Sequence, residues 1–588
     1  LLAKRNALLK RLFEQQIIDR LTYELAQQEP LPQKPHPLPR LAPHLLDSLQ
    51  KYYPAQRFHS TLDYALQQRL NTIAQHYAEQ LKLADIHNLA ILVLDNQDFS
   101  TLAYIANAPQ KQAQRAASTK TQHGLAIDLI RRVRSTGSTL KPFLFATMLQ
   151  QGELLPDMLV SDVPVHYAGF MPKNYDRQYR GAVTAKQALA QSLNIPAVNL
   201  LSQYGVARFQ AFLTKMGISS LHRSAQDYGL SLILGGAEAS LWELTEAYAN
   251  LAHLAQMSAH PPSKIQHSYY QQARLLQQDE AQTQRNRELD PATAWMTLQM
   301  LLNVARPGDA GHWQKFSSSQ QIAWKTGTSF GQRDAWAIGT TPQHTIGVWV
   351  GNANGEGRAG LTGTQVAAPL LLQAFNALSD RYSSRQNPRE VTFIKPKNAF
   401  KVIQVCKKDG YLSNGLCDSQ AYSIPKSVNF TRLTPHHLRI HLDASGQYQV
   451  HSGCESPHQM QHQTRFVLPP AQAYYYQQYH ADYQALPPYR ADCQQHQTGD
   501  QRFSIIYPAP QAQVYLPTEL DGRAGNVVFR ALAQPSEQRL YWHIDQRFIG
   551  TTETFHQQAL HLSKGKHRLT IVDETGQQQS RVFHVLSE

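Results

Sequence analysis

Three short polar motifs follow one another along the chain, and together they limit its fold and chemistry more than any other feature. The first, Ser138-x-x-Lys141, places a hydroxyl and an amine one helical turn apart on the same helix face. At that spacing a lysine can take the serine proton and so activate a nucleophile. The second motif, Ser192-x-Asn194, and the third, which begins at Lys325, supply the remaining walls of the site. The ordered set predicts an enzyme with an active-site serine.

The segments around these motifs resemble the transpeptidase domain of class A penicillin-binding proteins, which shares the three motifs with serine β-lactamases. The resemblance covers about residues 55–380. It is carried by the segments at residues 58–63, 134–143, 192–197, 232–237 and 325–329. The segment Asp334-Ala335-Trp336 and the C-terminal extension are similar to the 1C group of that family.

Hydrophobic patterning predicts an α+β fold for this part of the chain. Residues 89–94 and 102–105 are typical of strands, and residues 325–350 of a meander of adjacent strands. Helices are expected at residues 45–83, 184–201, 238–255 and 291–304. Strands at both ends with helices between them favour a sheet with a helical subdomain. The family resemblance implies the same arrangement, a penicillin-binding and serine β-lactamase-like transpeptidase domain.

Composition shifts divide the chain into five expected segments. Apolar residues at helical spacing mark the first, six prolines mark the second, and short alternating strands with turns such as Asp521-Gly522 mark the last. The segments are 1–28, a helical remnant of the end of a glycosyltransferase domain; 29–44, a linker; 45–385, the transpeptidase domain; 386–498, a β-rich connecting region; and 499–588, an immunoglobulin-like C-terminal domain. The motifs of sugar polymerisation are absent from this sequence, so glycosyltransferase activity is not expected of it.

Cysteines occur only in the C-terminal third of the sequence. The favoured pairing joins neighbours in sequence, Cys406 with Cys417 and Cys454 with Cys493. A zinc site is the competing interpretation, but the sequence lacks the Cys-x-x-Cys spacing of zinc fingers. Reduced buried thiols are the other alternative. Disulfides would indicate an oxidising compartment, here the periplasm.

The length and the net charge of the chain exclude few classes of protein function. A chain of 588 residues supports several domains. The formal charge of +13 comes from Lys and Arg residues that are scattered along the sequence. Because they form no basic cluster, they do not indicate binding to nucleic acid. The positive charge is compatible with binding to anionic lipids or to an anionic wall polymer, and also with a merely well-solvated surface. Neither a metal nor a cofactor is expected, because the 26 histidines form no ligand pattern.

A membrane segment is not evident in the sequence. It has no apolar run of about 18 residues, and it starts at Leu1 without a signal segment. The expectation is a fragment whose full-length form carries an inner-membrane anchor in a missing upstream part.

The resemblance implies a role for each residue of the first two motifs. Ser138 is expected to attack a carbonyl from the start of a helix that runs to about Gln151, with Lys141 as its base. A lysine accepts a proton at neutral pH only when it is desolvated or lies near another cation. Ser192 and Asn194 match family residues that relay protons and hold the substrate amide.

The third motif matches the family's binding strand. Lys325, Thr326 and Thr328 would bind the terminal carboxylate of the substrate, and the backbone N–H groups of Ser138 and Thr328 would form the oxyanion hole. Gly327 would leave room for the substrate backbone, which lies antiparallel to this strand in the family.

The expected activity is peptidoglycan cross-linking. A stem peptide ending in D-Ala-D-Ala would acylate the serine, and an amine on a neighbouring stem would take the acyl group, with β-lactams as inhibitors and cell-wall assembly proteins as further partners. A D,D-carboxypeptidase, a β-lactamase-like hydrolase and a non-catalytic wall-binding scaffold are the alternatives. Plainer interpretations are that Ser138 and Ser192 only cap helices and that Lys325-Thr326-Gly327 is an exposed strand end.

Overall fold

The computed structural model covers the chain in segments that form two compact units, Leu1–Pro43 and His44–Glu588. The described residues are 1–31, 40–54, 56–109, 123–165, 167, 170–257, 269–279, 283–285, 288–306, 321–382, 392–496, 503–515, 526–533, 538–574 and 576–586. Within them, every helix is too short or too polar to cross a bilayer. The predicted turn at Asp521-Gly522, half of the predicted linker (residues 32–39), and the predicted boundaries near residues 385 and 498 lie outside the described residues.

Most of the α-helices in the described residues lie before residue 383, and one short helix follows later. In chain order they are α1 (Leu2–Glu14), α2 (Arg20–Gln28), α3 (Pro43–Tyr52), α4 (Tyr64–Leu81), α5 (Lys141–Gln150), α6 (Ala185–Ala190), α7 (Asn194–Tyr204), α8 (Val206–Lys215), α9 (Ala225–Tyr228), α10 (Leu241–Met257), α11 (Pro291–Leu301), α12 (Ala368–Tyr382) and α13 (Pro470–Tyr476). The single helix predicted over residues 45–83 is wrong, because α3 and α4 are separate. Asp63 begins the second of them, where its side chain accepts a hydrogen bond from the Leu66 N–H.

Strands fall into three groups along the chain. They are β1 (Asn88–Asp95), β2 (Thr101–Ile105), β3 (Arg134–Ser135), β4 (Leu159–Asp162), β5 (Gly181–Thr184), β6 (Glu238–Ala239), β7 (Tyr269–Gln271), β8 (Thr283–Arg285), β9 (Ala323–Thr328), β10 (Asp334–Thr340), β11 (His344–Gly351), β12 (Phe400–Cys406), β13 (Ser419–Pro425), β14 (His437–Leu442), β15 (Gln461–Phe466), β16 (Phe503–Tyr507), β17 (Gln513–Tyr515), β18 (Val527–Ala533), β19 (Leu540–Ile544), β20 (Arg547–Thr552), β21 (Gln557–Leu560), β22 (Gly565–Asp573) and β23 (Gln578–Leu586). The strands predicted at 89–94, 102–105 and 325–350 are all present, so the α+β fold is confirmed.

The first unit is a pair of short helices, α1 and α2. The ring of Phe13 stacks on that of Tyr23 with centroids 5.0 Å apart. The Arg5 guanidinium donates to the carbonyl of Gln27 at 2.9 Å. Neither helix buries a residue fully, so little core forms between them.

A five-stranded antiparallel sheet in the order β2-β1-β11-β10-β9 is the centre of the second unit. Helices cover both of its faces. A Cβ on Gly347 would lie 2.0 Å from Oγ1 of Thr245 in α10, whereas one on Gly339 would lie 2.9 Å from the ring of Phe375 in α12. Because Gly339 is paired with Ile346, the neighbour of Gly347, the two glycines face opposite sides of the sheet.

The helical subdomain lies beside strand β9. Its central helix, α5, is buried along its whole length from Lys141 to Leu149, which is typical of a helix surrounded by others. The helix predicted over 184–201 is broken into α6 and α7. The break is at Ser192, whose φ of 56° is left-handed and ends the first helix.

Two hairpins, β12–β13 and β14–β15, form the region after residue 392. Disulfides join Cys406 to Cys417 and Cys454 to Cys493. Short helix α13 follows the second hairpin and packs against β5.

Two sheets packed face to face form the C-terminal domain. One has the order β16-β18-β21 and the other β17-β23-β22-β19-β20. Phe529 from the smaller sheet and Trp542, Ile571 and Phe583 from the larger one share a single buried core. This is a β-sandwich, in agreement with the prediction of a β-rich domain.

Candidate active site

Ser138 lies in a tight turn immediately before the N-terminus of α5 rather than in the helix itself. The helix begins at Lys141, three residues later than predicted. The preceding turn is closed by Thr139, whose N–H and hydroxyl both bond the Thr136 carbonyl, at 3.2 and 2.9 Å. Ser138 is half-buried, and its hydroxyl makes no hydrogen bond to any described residue.

Gly137 allows this turn to approach strand β9. Its φ of 54° is left-handed, and a Cβ at that position would lie 2.5 Å from the backbone nitrogen of Thr328. The backbone next to Ser138 is therefore in contact with the backbone of Thr328. The two N–H groups predicted to form an oxyanion hole belong to these adjoining segments.

The Lys141 amine is buried and contacts the second motif. It donates to the carbonyls of Ser192 and Leu193 at 2.8 and 3.0 Å and to Oδ1 of Asn194 at 2.8 Å. Burial, and secondarily the charge of Lys325, hold the pKa of Lys141 well below its usual range. The first and second motifs thus form one hydrogen-bonded cluster.

Lys325 links the third motif to the second. Its amine donates to Oγ of Ser192 at 2.7 Å and to the Thr326 carbonyl at 2.8 Å. The side chain is 1% exposed in all, and this burial lowers the pKa of Lys325 to about 7. Two lysines therefore flank Ser192, and both have a weakened affinity for protons.

Strand β9 is the edge of its sheet, and its residues alternate between two faces. A Cβ on Gly327 would lie 2.6 Å from the Thr136 carbonyl oxygen, so this face lies against the Ser138 turn. On the other face Thr328 accepts a hydrogen bond from the Gly363 N–H at 3.0 Å, and Gly363 also adjoins Thr326. The sequence therefore places Lys325 and Gly327 toward the first motif, and both threonines toward the Gly363 segment.

Two residues that support the site, Asn174 and Asp162, were not predicted from the sequence. Asn174 is 2% exposed, and its Oδ1 accepts hydrogen bonds from the backbone N–H groups of Asn194 and Ile195 at 2.9 and 3.1 Å. Its Nδ2 donates to the fully buried Asp162 at 2.7 Å. Neither residue is at a sequence spacing that relates it to the three motifs. Only their burial in the folded structure reveals their role.

Two known protein families match parts of this chain. A family model described as the penicillin binding protein transpeptidase domain matches residues 89–375, and one described as the Penicillin-Binding Protein C-terminus Family matches residues 492–583. The chain is 31% identical over 388 residues to penicillin-binding protein 1C of Escherichia coli (strain K12), covering 66% of this chain and 47% of that protein. It is 30% identical over 254 residues to penicillin-binding protein 1A of Neisseria flavescens, covering 41% of this chain and 31% of that protein.

The fold is also similar to a solved structure. The crystal structure of penicillin-binding protein 1A from Haemophilus influenzae superposes with a TM-score of 0.54 at 14% identity, covering 74% of this chain and 83% of that one. The matched part of the chain spans less than half the length of the two curated relatives. The predicted resemblance is confirmed: residues 89–375 match the transpeptidase domain of the penicillin-binding proteins, and residues 492–583 match their C-terminal family.

Proposed function

We propose that the protein is a serine D,D-transpeptidase of cell-wall synthesis that forms an acyl-enzyme at Ser138. The observation that carries this proposal is the burial of two lysines, Lys141 and Lys325, around Ser192 at the foot of the Ser138 turn. A buried amine loses affinity for its proton and can serve as a base at neutral pH.

The first half-reaction forms the ester. Oγ of Ser138 attacks the carbonyl carbon of the penultimate D-Ala, and the hydroxyl proton passes to Nζ of Lys141. To accept this proton, the Lys141 amine gives up one of its three hydrogen bonds. The N–H groups of Ser138 and Thr328 hold the oxyanion. The C–N bond then breaks, and the terminal D-Ala leaves as an amine after taking a proton relayed through Ser192.

The second half-reaction transfers the acyl group. An amine from a neighbouring stem peptide attacks the ester carbonyl and gives up a proton to the lysine and serine relay. The C–O bond to Ser138 breaks, and the hydroxyl recovers its proton. The product is a new amide bond between two stems, with no cofactor required.

Strand β9 is the proposed substrate platform. Within the part of the chain that the structure describes, its outer edge pairs with no strand and could pair with an extended peptide, a mode of recognition in which backbone hydrogen bonds supply affinity. The protonated amine of Lys325 would attract the substrate's terminal carboxylate, and Thr326 and Thr328 would be further donors from the opposite face of the strand, beside Gly363. Gly327 keeps this approach clear.

The two disulfides support an oxidising compartment such as the periplasm, because disulfides persist there. We infer that the protein acts there on peptidoglycan, held at the inner membrane in its full-length form. β-Lactams are the expected inhibitors, because they acylate the same serine.

Intact-protein mass spectrometry tests the proposal. After incubation with benzylpenicillin, the protein is expected to gain the mass of one penicillin, and the Ser138→Ala variant to gain none. The absence of an adduct in the parent protein would reject the acyl-enzyme and favour a wall-binding scaffold. An adduct on the variant would place the acylation elsewhere.

A second measurement separates transfer from hydrolysis. A stem pentapeptide is incubated with the protein and with an acceptor amine, and the released D-Ala is compared with the cross-linked product. A transpeptidase yields cross-linked product in proportion to the acceptor. Release of D-Ala without any cross-link would favour a carboxypeptidase, and rapid destruction of the penicillin would favour a β-lactamase.

A further inference from the structure

Aromatic side chains join the C-terminal sandwich to the segment behind the Ser192-x-Asn194 motif. Tyr179, Ile195 and Tyr475 form one buried cluster, and Phe548 from the sandwich packs against it. The ring of Tyr179 lies 5.7 Å from that of Tyr475 and 5.4 Å from that of Phe548. Three parts of the chain, the transpeptidase domain, α13 and the sandwich, therefore meet in one core.

A buried polar contact fixes the same junction. The hydroxyl of Tyr475 lies 2.5 Å from Nε2 of His543, a residue of β19 with no exposed surface. Burial lowers the pKa of His543 to about 4 and raises that of Tyr475 well above its usual range. Both groups are neutral at physiological pH, so the contact is an uncharged hydrogen bond with a specific geometry.

Close backbone contact brings α13 against the transpeptidase domain. A Cβ on Gly181 would lie 2.1 Å from the carbonyl oxygen of Gln472 and 2.6 Å from the nitrogen of Tyr476. Gly181 begins β5, directly after the segment that contains Asn174 and Tyr179. The helix therefore has little freedom to shift without moving that segment.

The segment at residues 173–180 leads from this junction to the site. Its Asn174 accepts from the backbone of Asn194 and of Ile195, and Ile195 is itself a member of the aromatic cluster. The carbonyl of Lys173 accepts from Nδ2 of Asn194 at 2.8 Å. Oδ1 of Asn194 then accepts from Lys141. A continuous series of packed and hydrogen-bonded groups therefore runs from His543 to the amine of Lys141.

We propose that the C-terminal sandwich is a working part of the active site, with Tyr475 as a positioning residue that sets Asn194, and through it Lys141, for acylation. This inference rests on the proposed acyl-transfer function. A support that holds a side chain of the site in its productive geometry changes the rate of the chemical step when it loosens. If the cluster only held the domains together, its loosening would leave that rate unchanged.

The test uses the full chain and resolves acylation by benzylpenicillin into a half-saturating concentration and a maximal rate. Tyr475→Ala removes the ring and the hydroxyl, and is expected to lower the maximal rate about tenfold while the half-saturating concentration stays within about twofold. Tyr475→Phe keeps the ring and is expected to recover most of the rate. A rate effect that the conservative variant rescues is the signature of positioning.

Trp542→Phe is the matched control. Trp542 is fully buried in the sandwich core and donates to Thr552 at 2.8 Å, outside the aromatic cluster. Trp542 and His543 are neighbours on β19, so their side chains point to opposite faces of the sheet. The variant therefore disturbs the sandwich interior but not the face that holds Tyr475, and its acylation rate is expected to equal that of the parent. An equal loss in Trp542→Phe and Tyr475→Ala would overturn the proposal in favour of general destabilisation.

Two further outcomes decide the matter. If Tyr475→Ala does not fold, the half-buried Phe548 is replaced by Leu, which is expected to lower the maximal rate severalfold. A parent rate in whichever of these variants is folded overturns the coupling and leaves the proposed function intact. A parent protein that is not acylated at all rejects the proposed function itself and the coupling with it.

Discussion

The amine of Lys141 and the side-chain oxygen of Asn194 lie 2.8 Å apart, so the first and second motifs share a direct hydrogen bond. The same amine contacts two backbone carbonyls of the second motif. Lys141 thus has as many acceptors as an ammonium group has protons. Burial opposes that charged form. The three acceptors stabilise the protonated amine, whereas burial favours the neutral amine, and the pKa of Lys141 is lowered.

Replacement of Asn194 by Ala tests this contact. The variant removes one acceptor of Lys141 and the group proposed to hold the substrate amide, so acylation by benzylpenicillin is expected to slow by about 100-fold. Asn199→Ala is the control, because Asn199 lies on the same helix but bonds Tyr167 and Ser161 instead. Similar rates in the two variants would contradict the role of Asn194.

Gly137→Ala is expected to abolish measurable acylation. The new Cβ would lie 2.5 Å from the nitrogen of Thr328, so the Ser138 turn would be pushed away from β9. Gly415→Ala is a matched control, since Gly415 also has a left-handed φ, of 82°, but has no atom within 4 Å of its Cβ position. It bears the backbone strain alone, and its acylation rate is expected to be unchanged. Retained activity in Gly137→Ala would mean that this close approach is dispensable.

The pKa of Lys325, lowered by burial to about 7, predicts how ligand affinity depends on pH. Below that value the amine is protonated and attracts a carboxylate, and above it the charge is lost. The half-saturating concentration of benzylpenicillin is therefore expected to rise between about pH 6 and about pH 8.5. The methyl ester of the same drug has no carboxylate, and its half-saturating concentration is expected to stay level. Parallel curves for acid and ester would exclude Lys325 as the carboxylate-binding group.

Much of this arrangement was predictable because the motifs lie at local spacings. Ser138 and Lys141 are three residues apart, and a run such as Leu89–Leu94 is apolar enough to be a buried strand. The start of α5 was misplaced because Gly137 permits a turn that Ser138 alone does not reveal.

The supports behind the site could not be predicted from spacing. Asn174 and Asp162 reach the second motif only through the folded chain. Tyr475 contacts Tyr179 and His543, which are both distant from it in sequence. Contacts of this kind depend on how domains pack, and a single sequence carries no periodic signal for them.

The disulfides give the last prediction, which concerns stability of the connecting region. Cys406 and Cys417 are 11 residues apart, and Cys454 and Cys493 are 39 apart. Since cross-links act mainly by restricting the unfolded chain, replacing the short pair by serines should cost about 3 kcal/mol of unfolding free energy and replacing the long pair about 4 kcal/mol. Urea titration of the two double-serine variants checks this order, with the parent protein as reference.

Acylation is expected to survive in both serine variants, because neither disulfide contacts the aromatic cluster or the three motifs within the described residues. The short pair adjoins Asp409, whose carbonyl accepts from the Leu159 N–H of β4 at 2.9 Å. Its removal therefore loosens β4 at the end away from Asp162, and leaves the hydrogen bond from Asn174 in place. A larger loss of stability in the short-loop variant than in the long-loop variant would show that native contacts, rather than loop closure, account for the stabilisation.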